Sequence, residues 1–253
     1  MGKSYAIFNQ KGGVGKTTTN INLGACLARK GKRVLLVDID PQGNTTSGLG
    51  LVKRELRDTL YEALTMEEYD VHKAVYHTET KNLDIIPASV DLSGAEVELI
   101  QIFGREILLR NVLAQVKDEY DFIFIDCPPS LGLLTVNALV AADGVIIPIQ
   151  CEFYALEGVM KTVELVRREM NRNLQITGVI LSMFDGRTNL GLQVVQEVKR
   201  FFGNKVFKTV IPKNVRLAEA PSYGLSIVDY DPSSKGAKAY KKLADEFVQR
   251  EGR

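Results

Sequence analysis

The sequence is poor in the residues that most often form catalytic triads, zinc sites and disulfide frameworks. It has no tryptophan, and its only histidines among 253 residues are His72 and His77. Because triads and zinc centres usually draw on histidine, we expect neither kind of site. The three cysteines, Cys26, Cys127 and Cys151, are widely spaced and form no CxxC pair. We therefore expect reduced thiols, as is usual for a protein of the cytosol.

The sequence also lacks a large net charge and long apolar runs. Its formal net charge is +1, with 45% hydrophobic and 25% charged residues, so the overall charge does not indicate a nucleic-acid-binding protein. No stretch reaches the roughly 18–20 apolar residues of a membrane span, and the N-terminal MGKSYAIFNQ is too short and too polar for a signal peptide. We expect a soluble cytoplasmic protein without a membrane partner.

Short apolar runs alternate with helical patterns along the chain. Strands are predicted at 5–8, 34–37, 83–86, 122–125, 145–147, 177–181 and 206–211. Helices are predicted at 104–119, 132–141, 154–170 and 189–202, and from about residue 235. This alternation predicts an α/β fold, a mostly parallel twisted sheet with helices on both faces. The length favours one domain over 1–253, two small domains being the weaker alternative.

Two regions need separate interpretation. Residues 44–82 are polar and irregular, which indicates an excursion from the sheet. The C-terminal pattern places Tyr240, Leu243, Ala244 and Phe247 on one helical face. A membrane-targeting helix is one alternative, but this modest apolar face favours packing on the sheet.

The stretch NQKGGVGKTTT, residues 9–19, follows the first apolar run and opens a helical pattern. Gly12, Gly13 and Gly15 allow backbone N–H groups to approach phosphate oxygens closely. Lys16 would bridge the β- and γ-phosphates, and the Thr17 hydroxyl would bind Mg²⁺. The alternative is a glycine turn that only caps a helix. The predicted nucleotide-binding set consists of Lys11, Gly12, Gly13, Val14, Gly15, Lys16, Thr17 and Thr18.

Aspartates stand at the ends of two other predicted strands. VLLVDID ends with Asp38 and Asp40, and FIFID ends with Asp126. Ligands of parallel sheets bind at the carboxyl ends of the strands, and an acidic residue at this position can hold Mg²⁺. Each aspartate taken alone could be a turn residue before proline. Together with the glycine loop they predict a site for phosphoryl transfer.

Four segments together resemble a known family: KGGVGKTT, VDIDPQGN, IDCPPSLG and IPKNVRLAEAP. KGGVGKTT has the extra lysine of the deviant Walker A motif, and the combination resembles the ParA/Soj chromosome- and plasmid-partition ATPases. These form a branch of the MinD/ParA class of P-loop proteins. The resemblance extends from residue 2 to about 250.

The resemblance implies roles that spacing alone does not establish. It implies an ATP-dependent homodimer that encloses two nucleotides, with Mg²⁺ at Thr17 and Asp126. Lys11 would reach the partner's nucleotide, Lys16 would bind its own, and Asp40 would orient the attacking water; these three are the predicted catalytic residues. Part of the adenine site would come from Pro212 and Asn214.

The resemblance also implies non-specific binding of double-stranded DNA, association with the nucleoid and a ParB/Spo0J-type partner that stimulates hydrolysis. The sequence agrees locally, because the stretch 187–217 has a net charge of +6 while the rest of the chain sums to −5. The predicted DNA-binding residues are Arg187 and Arg216 first, then Lys199 and Lys213. A solvated charged surface is the alternative.

Three other classes remain as alternatives. A MinD-like membrane-cycling ATPase shares the loop but normally has a bulky, basic C-terminal helix, which DEFVQREGR does not resemble. An iron–sulfur carrier would need paired cysteine ligands. A sequence-specific DNA-binding regulator would need a helix-turn-helix domain before the loop, and we expect none.

Overall fold

The central sheet consists of short strands that are apolar at nearly every position. The computed structural model describes residues 2–150, 156–184 and 189–252. Within these ranges the strands are β1 Lys3–Ile7, β2 Val34–Asp38, β3 Tyr76–His77, β4 Leu83–Ile86, β5 Phe122–Asp126, β6 Gly144–Gln150 and β7 Gln175–Ser182. Their order is β3-β4-β2-β5-β1-β6-β7, and only the β3–β4 pair is antiparallel. The predicted α/β class with a mostly parallel sheet is confirmed.

Helices cover both faces of this sheet. The α-helices of the described ranges are α1 Lys16–Ala28, α2 Asn44–Gly48, α3 Leu60–Thr65, α4 Leu92–Glu98, α5 Leu108–Ala114, α6 Leu133–Ala141, α7 Leu156–Glu169, α8 Asn189–Phe202, α9 Val215–Glu219, α10 Ile227–Tyr230 and α11 Lys235–Glu251. The helix predicted at 104–119 is shorter than expected, since single 3₁₀ turns precede and follow α5. The excursion at 44–82 is confirmed as short helices and turns. It also contains the two-residue strand β3, which the sequence did not predict.

The strand predicted at 206–211 is wrong as a continuous strand. Among the described residues, isolated bridges join this segment to β7 and the residues after it, between Val179 and Val206 and between Phe184 and Pro212. The Ile211 amide also donates to the Leu181 carbonyl oxygen at 2.8 Å. The intervening amides of Lys208 and Thr209 donate instead to the Glu246 carboxylate, at 2.8 and 2.9 Å. A side chain of α11 therefore binds the two amides in the middle of the segment, where the pairing with β7 is interrupted.

Each face of the sheet has its own apolar core. On one face Val37, Ile125 and Ile147 pack with the helices that follow β4, β5 and β6. On the other, Ile7, Leu36 and Ile146 pack with α1 and α11. Since both faces are covered, alternate residues of the same strand enter different cores, which explains the continuous apolar runs.

The C-terminal helix α11 packs on the sheet, as predicted. The Phe247 ring lies 5.1 Å from Tyr5, 5.3 Å from Phe122 and 5.6 Å from Phe124 between ring centroids. Tyr240 and Leu243 are buried on the same face. Separately, no helix within the described ranges is long and apolar enough to cross a membrane.

Candidate nucleotide-binding site

The glycine loop connects the end of β1 to the start of α1. Gly13 and Gly15 have φ angles of 74° and 89°, in the left-handed region that side chains with a Cβ rarely adopt. Gly15 directly precedes the first helical residue, Lys16. A Cβ at Gly12 or Gly13 would meet no atom within 4 Å, so this side of the loop is open to a ligand. The N-terminus of α1 adds its positive dipole there.

Side chains from distant strands and helices hold the loop in this shape. Asn9 donates to the carbonyl oxygen of Pro148 at 2.8 Å and accepts from the Lys11 amide at 3.0 Å. The Ser182 hydroxyl, at the end of β7, donates to the Val14 carbonyl oxygen at 2.7 Å. The sequence-based prediction missed both Asn9 and Ser182. Their only sequence signal is a small polar residue directly after an apolar run.

Gln10 occupies the position where an ordinary phosphate-binding loop has glycine. Its side-chain amide donates to the Thr162 hydroxyl on α7 at 2.8 Å, and its Oε1 lies where a Cβ on Gly158 would come within 2.6 Å. The substitution therefore connects the loop to α7, which must keep Gly158 small at that point.

Lys16 is directed into the loop that precedes it. Its side chain is buried, with 7% of the residue exposed, and its Nζ donates to the Lys11 carbonyl oxygen at 3.2 Å. Burial lowers the pKa of Lys16, although the nearby carboxylates of Asp126 and Asp40 oppose this. A buried ammonium beside open amides is suited to the charge of a phosphate group.

Two aspartates face each other at the carboxyl ends of β2 and β5. Asp38 and Asp126 are paired residues in the register of the two strands, and both are fully buried. Burial raises the pKa of Asp38, and the Asp126 carboxylate raises it further. Burial also raises the pKa of Asp126, against the lowering effect of hydrogen bonds from the Thr45 and Thr17 hydroxyls. This pair of like charges would be stabilised by a cation.

The threonines of α2 support this aspartate pair. Thr45 donates to Asp126 at 2.7 Å, and Thr46 donates to Asp38 through its hydroxyl at 2.7 Å and its amide at 2.8 Å. The prediction missed both threonines, since α2 lies in the stretch that the sequence marks only as irregular. They leave Oδ1 of each aspartate buried and without a hydrogen-bond partner among the described residues.

The donor set fits a hard divalent cation. Asp126 Oδ1 is an unused buried oxygen, and the Thr17 hydroxyl lies beside the same carboxylate. The described ranges contain no group of three or more histidine, cysteine, aspartate or glutamate side chains that could hold a metal. Mg²⁺ is usually bound through one or two carboxylates and completes its shell with water and phosphate oxygens.

Asp40 lines the cavity next to the loop. This cavity has a volume of about 510 Å³ and is bordered by Gly12, Lys16 and Thr17 as well as by Asp40. Asp40 is 7% exposed, and one carboxylate oxygen accepts from the Gln42 amide at 2.9 Å. The backbone of its own turn thus orients the carboxylate at the edge of the open space.

A second cavity adjoins the first through Gly15, Thr18 and Met183, which line both. Its volume is about 280 Å³, and Pro212 and Asn214 lie in its wall. Asn214 Oδ1 is buried and has no hydrogen-bond partner among the described residues. The structure thus brings the predicted adenine residues next to the phosphate loop, with an acceptor available.

Within the part of the chain that the structure describes, the predicted DNA-binding residues do not form one cluster. Arg187 lies outside the described residues. Lys199 is exposed on α8, and Lys213 is exposed beside Pro212. Arg216, on α9, is 2.8 Å from the Glu219 carboxylate and 3.6 Å from that of Asp231, so two carboxylates surround its charge.

Residues 2–176 match the family model described as an AAA domain. The Soj protein of Bacillus subtilis strain 168, described as a sporulation initiation inhibitor, is 59% identical over 98% of this chain and 99% of its own. The chromosome-partitioning ATPase Soj of Treponema pallidum strain Nichols is 53% identical over 100% and 99%. The chain belongs to the Soj/ParA family of chromosome-partitioning ATPases.

Solved structures of P-loop proteins share this family's fold. Cobyrinic acid a,c-diamide synthase from Mycobacterium smegmatis, with bound ADP and magnesium, superposes with a TM-score of 0.86 at 36% identity, covering 100% of this chain and 97% of that one. MinD from Pyrococcus horikoshii, complexed with Mg-ADP, superposes with a TM-score of 0.84 at 31% identity, covering 100% and 98%. Since the Treponema pallidum relative, matched over its full length, is a chromosome-partitioning ATPase, the chain is a partition ATPase of the Soj/ParA type.

Proposed function

We propose that residues 1–253 form a single P-loop ATPase domain that dimerises on binding ATP, binds DNA without sequence preference and hydrolyses ATP to ADP and phosphate. A ParB/Spo0J-type partner stimulates this hydrolysis, and the cycle drives chromosome or plasmid segregation. The protein acts on the nucleoid. Its cofactors are ATP and Mg²⁺.

One observation supports this function above the others. The buried Lys16, the glycines of the loop and Thr17 all line one cavity. The Thr17 hydroxyl connects this cavity to the buried Asp126 carboxylate, which has an unused oxygen. Phosphoryl transfer requires mainly positioning and charge neutralisation, and these groups provide both. The adjoining cavity at Asn214 offers space and an acceptor for the base.

Each residue has one task in the proposed mechanism. Lys16 binds the β- and γ-phosphate oxygens. To do so, its ammonium gives up the hydrogen bond that it donates to the Lys11 carbonyl oxygen. Thr17 and Asp126 would hold Mg²⁺, which would neutralise charge on the phosphates. Asp40, oriented by the Gln42 amide, positions the attacking water. The loop amides and the α1 dipole stabilise the charge that develops on the phosphoryl oxygens.

Lys11 has a different task, because its backbone already belongs to the loop of its own subunit. Its carbonyl oxygen accepts from Lys16 and its amide donates to Asn9. We assign its side chain to the partner's nucleotide. A lysine supplied by the second subunit makes hydrolysis depend on dimerisation, in the way that an arginine supplied in trans completes other phosphoryl-transfer sites.

Dimerisation then also controls DNA binding. Non-specific phosphate contacts by one subunit give dissociation constants of about 10⁻⁴ to 10⁻⁶ M. Two subunits joined by ATP engage the duplex together, and the second engagement is intramolecular. The fraction of protein bound to DNA consequently depends on whether ATP or ADP is bound, although the DNA-binding surface of each subunit does not change.

The decisive experiment measures DNA binding with ATP, a non-hydrolysable ATP analogue, ADP and no nucleotide, with the oligomeric state recorded in each condition. We expect dimers and DNA binding with the analogue, and monomers with weak binding with ADP. Equal DNA affinity in the ADP and analogue states would refute the proposal. Hydrolysis is measured in parallel with DNA, with a cognate ParB/Spo0J-type protein and with both, and we expect the highest rate with both.

A further inference from the structure

Four lysines line one groove at the β7 edge of the molecule. The groove lies between the segment after α8 and the first half of α11, and its volume is about 520 Å³. We call it the lysine groove; its charged members are Lys208, Lys235, Lys238 and Lys242. Its remaining lining residues are Phe184, Thr209, Val210, Pro212 and Ala239, so no carboxylate lies in its wall.

The lysines of the groove are exposed, and their charges are not neutralised by neighbours. None of the four has a carboxylate within 4 Å among the described residues. The nearby Glu246 on α11 is engaged elsewhere, because it accepts from the amides of Lys208 and Thr209 and forms an ion pair with Arg250 at 2.7 Å. The groove therefore has a concentrated positive charge.

The spacing of these lysines suits a linear array of negative charges. Lys235, Lys238 and Lys242 occupy positions i, i+3 and i+7 of α11 and share one face. At 1.5 Å per residue the first and last are separated by about 10 Å along the helix axis. One DNA strand presents a phosphate about every 3.4 Å along its axis, so four successive phosphates span a similar length.

Arg216 offers a contrast within the same third of the chain. Its guanidinium lies between Glu219 and Asp231, which together outweigh its charge. A DNA phosphate would have to compete with both carboxylates there. At the lysine groove it would meet four cations and no carboxylate.

We propose that the lysine groove binds the DNA phosphate backbone, through Lys208, Lys235, Lys238 and Lys242. This inference rests on the proposed function, which requires DNA binding, and assigns that binding to α11. The groove also has a connection to the nucleotide site, since Pro212 lies both in its wall and in that of the cavity beside Gly15.

The observations favour DNA over an anionic membrane as the occupant. A helix that lies in a membrane interface inserts its apolar face. The apolar face of α11 is already buried, with Tyr240, Leu243 and Phe247 packed in the core. No large hydrophobic residue is exposed on α11, so this surface offers charge without an apolar insertion.

The test compares the wild-type protein with the triple variant Lys235→Gln, Lys238→Gln, Lys242→Gln. Anisotropy of a labelled duplex is measured with the non-hydrolysable ATP analogue across about 50–200 mM salt, the range over which phosphate contacts change affinity strongly. We expect at least about tenfold weaker binding, and a log–log salt slope reduced by about 2.7 for each contacting chain, or 0.9 per lost contact. Basal ATPase activity should be unchanged, because none of these residues touches the nucleotide site.

A matched variant separates this local effect from net charge. Lys32→Gln, Lys73→Gln, Lys81→Gln removes the same charge near the β2, β3 and β4 end of the sheet, and its affinity and salt slope should remain near the wild-type values. If the groove triple variant does not fold, as judged by its melting temperature, the single Lys238→Gln should still reduce the slope by about one.

Two failures are distinguishable. Wild-type protein that binds DNA equally with ADP and with the analogue contradicts the proposed function. ATP-dependent wild-type binding that the groove substitutions leave unchanged overturns this inference alone. Wild-type protein that sediments with anionic vesicles but does not bind the duplex would overturn it in favour of a membrane.

Discussion

Lys16 and Lys11 are connected within one subunit, since the Lys16 ammonium donates to the Lys11 carbonyl oxygen at 3.2 Å. The two lysines of the loop therefore do not act alike. One directs its side chain into the loop, while the other contributes its backbone there. This difference predicts that substitutions at the two positions have separable effects.

Lys11→Ala should retain nucleotide binding by the monomer, because the Lys11 backbone groups remain in the loop. We expect ADP affinity within about threefold of wild type, while ATP-dependent dimerisation is lost and hydrolysis falls by about 10²–10³-fold, the usual effect of removing one stabilising donor. Titration calorimetry, light scattering and phosphate release measure the three quantities. Lys16→Ala is the comparison, and it should lose nucleotide binding itself. A Lys11→Ala protein that dimerises and hydrolyses ATP normally would contradict the assignment in trans.

Asp40→Ala should retain ATP-dependent dimerisation and lose hydrolysis. The Asp40 carboxylate lies at the edge of the phosphate cavity, where it accepts a hydrogen bond from the Gln42 amide. Its removal should lower turnover by about 10²-fold or more, in the range of a lost general base or water-positioning group. The ATP-bound dimer should therefore accumulate, which light scattering with ATP and Mg²⁺ would detect. Dimerisation lost with turnover intact would show that the role of Asp40 is wrong.

Asp126→Asn should separate the stability of the apo protein from its response to Mg²⁺. The substitution removes one of two facing buried carboxylates, so we expect the melting temperature of the apo protein to stay level or rise. The stabilisation by Mg²⁺ and nucleotide, about 2.7 kcal/mol at a ligand concentration of 100 Kd, should decrease strongly. Thermal melts with ADP, with and without EDTA, measure this. If EDTA still lowers the melting temperature of the variant as much as that of wild type, Asp126 is not a metal ligand.

Asp229→Asn should reduce stability at neutral pH and change its dependence on acid. Burial raises the pKa of Asp229, but hydrogen bonds from Ser226, Thr80 and Arg29 outweigh it and lower the pKa below its usual value of 3.8. A lowered folded-state pKa stabilises the protein above the unfolded-state pKa, and this contribution is lost as the pH falls through the folded-state value. We expect a loss of about 1–3 kcal/mol near pH 7.

Urea unfolding of the Asp229→Asn variant and wild type from pH 7 to pH 3 tests this dependence. The difference in unfolding free energy between the variant and wild type should become smaller as the pH falls toward 3. Asp245→Asn is a control, since Asp245 pairs with Lys30 at an exposed position and such pairs contribute little. If the difference in unfolding free energy were the same at every pH, the lowered pKa of Asp229 would not be the source of the stabilisation.

Local patterns were sufficient to predict the centre of the site. Gly15, Lys16 and Thr17 are adjacent in the chain, and their order alone indicates a strand, a turn and a helix around a phosphate. Asp40 and Asp126 follow apolar runs, so the carboxyl edge of the sheet was predictable for both. Contacts that depend on distant segments were not predictable in this way. The Ser182 hydroxyl reaches Val14 across 168 positions of the chain, and no local pattern indicates such a pairing.

The amino-acid sequence by itself determined the fold class, the family and the position of the phosphate loop, because periodicity and motif spacing are properties of neighbouring residues. Only the tertiary structure decided how the charges are distributed. It placed Arg216 between two carboxylates, and it brought Lys208 beside three lysines of α11. It also turned the amides at 208 and 209 toward Glu246, so that a predicted strand became the wall of a groove. Electrostatic interactions depend on distance in space and on burial, and folding sets both.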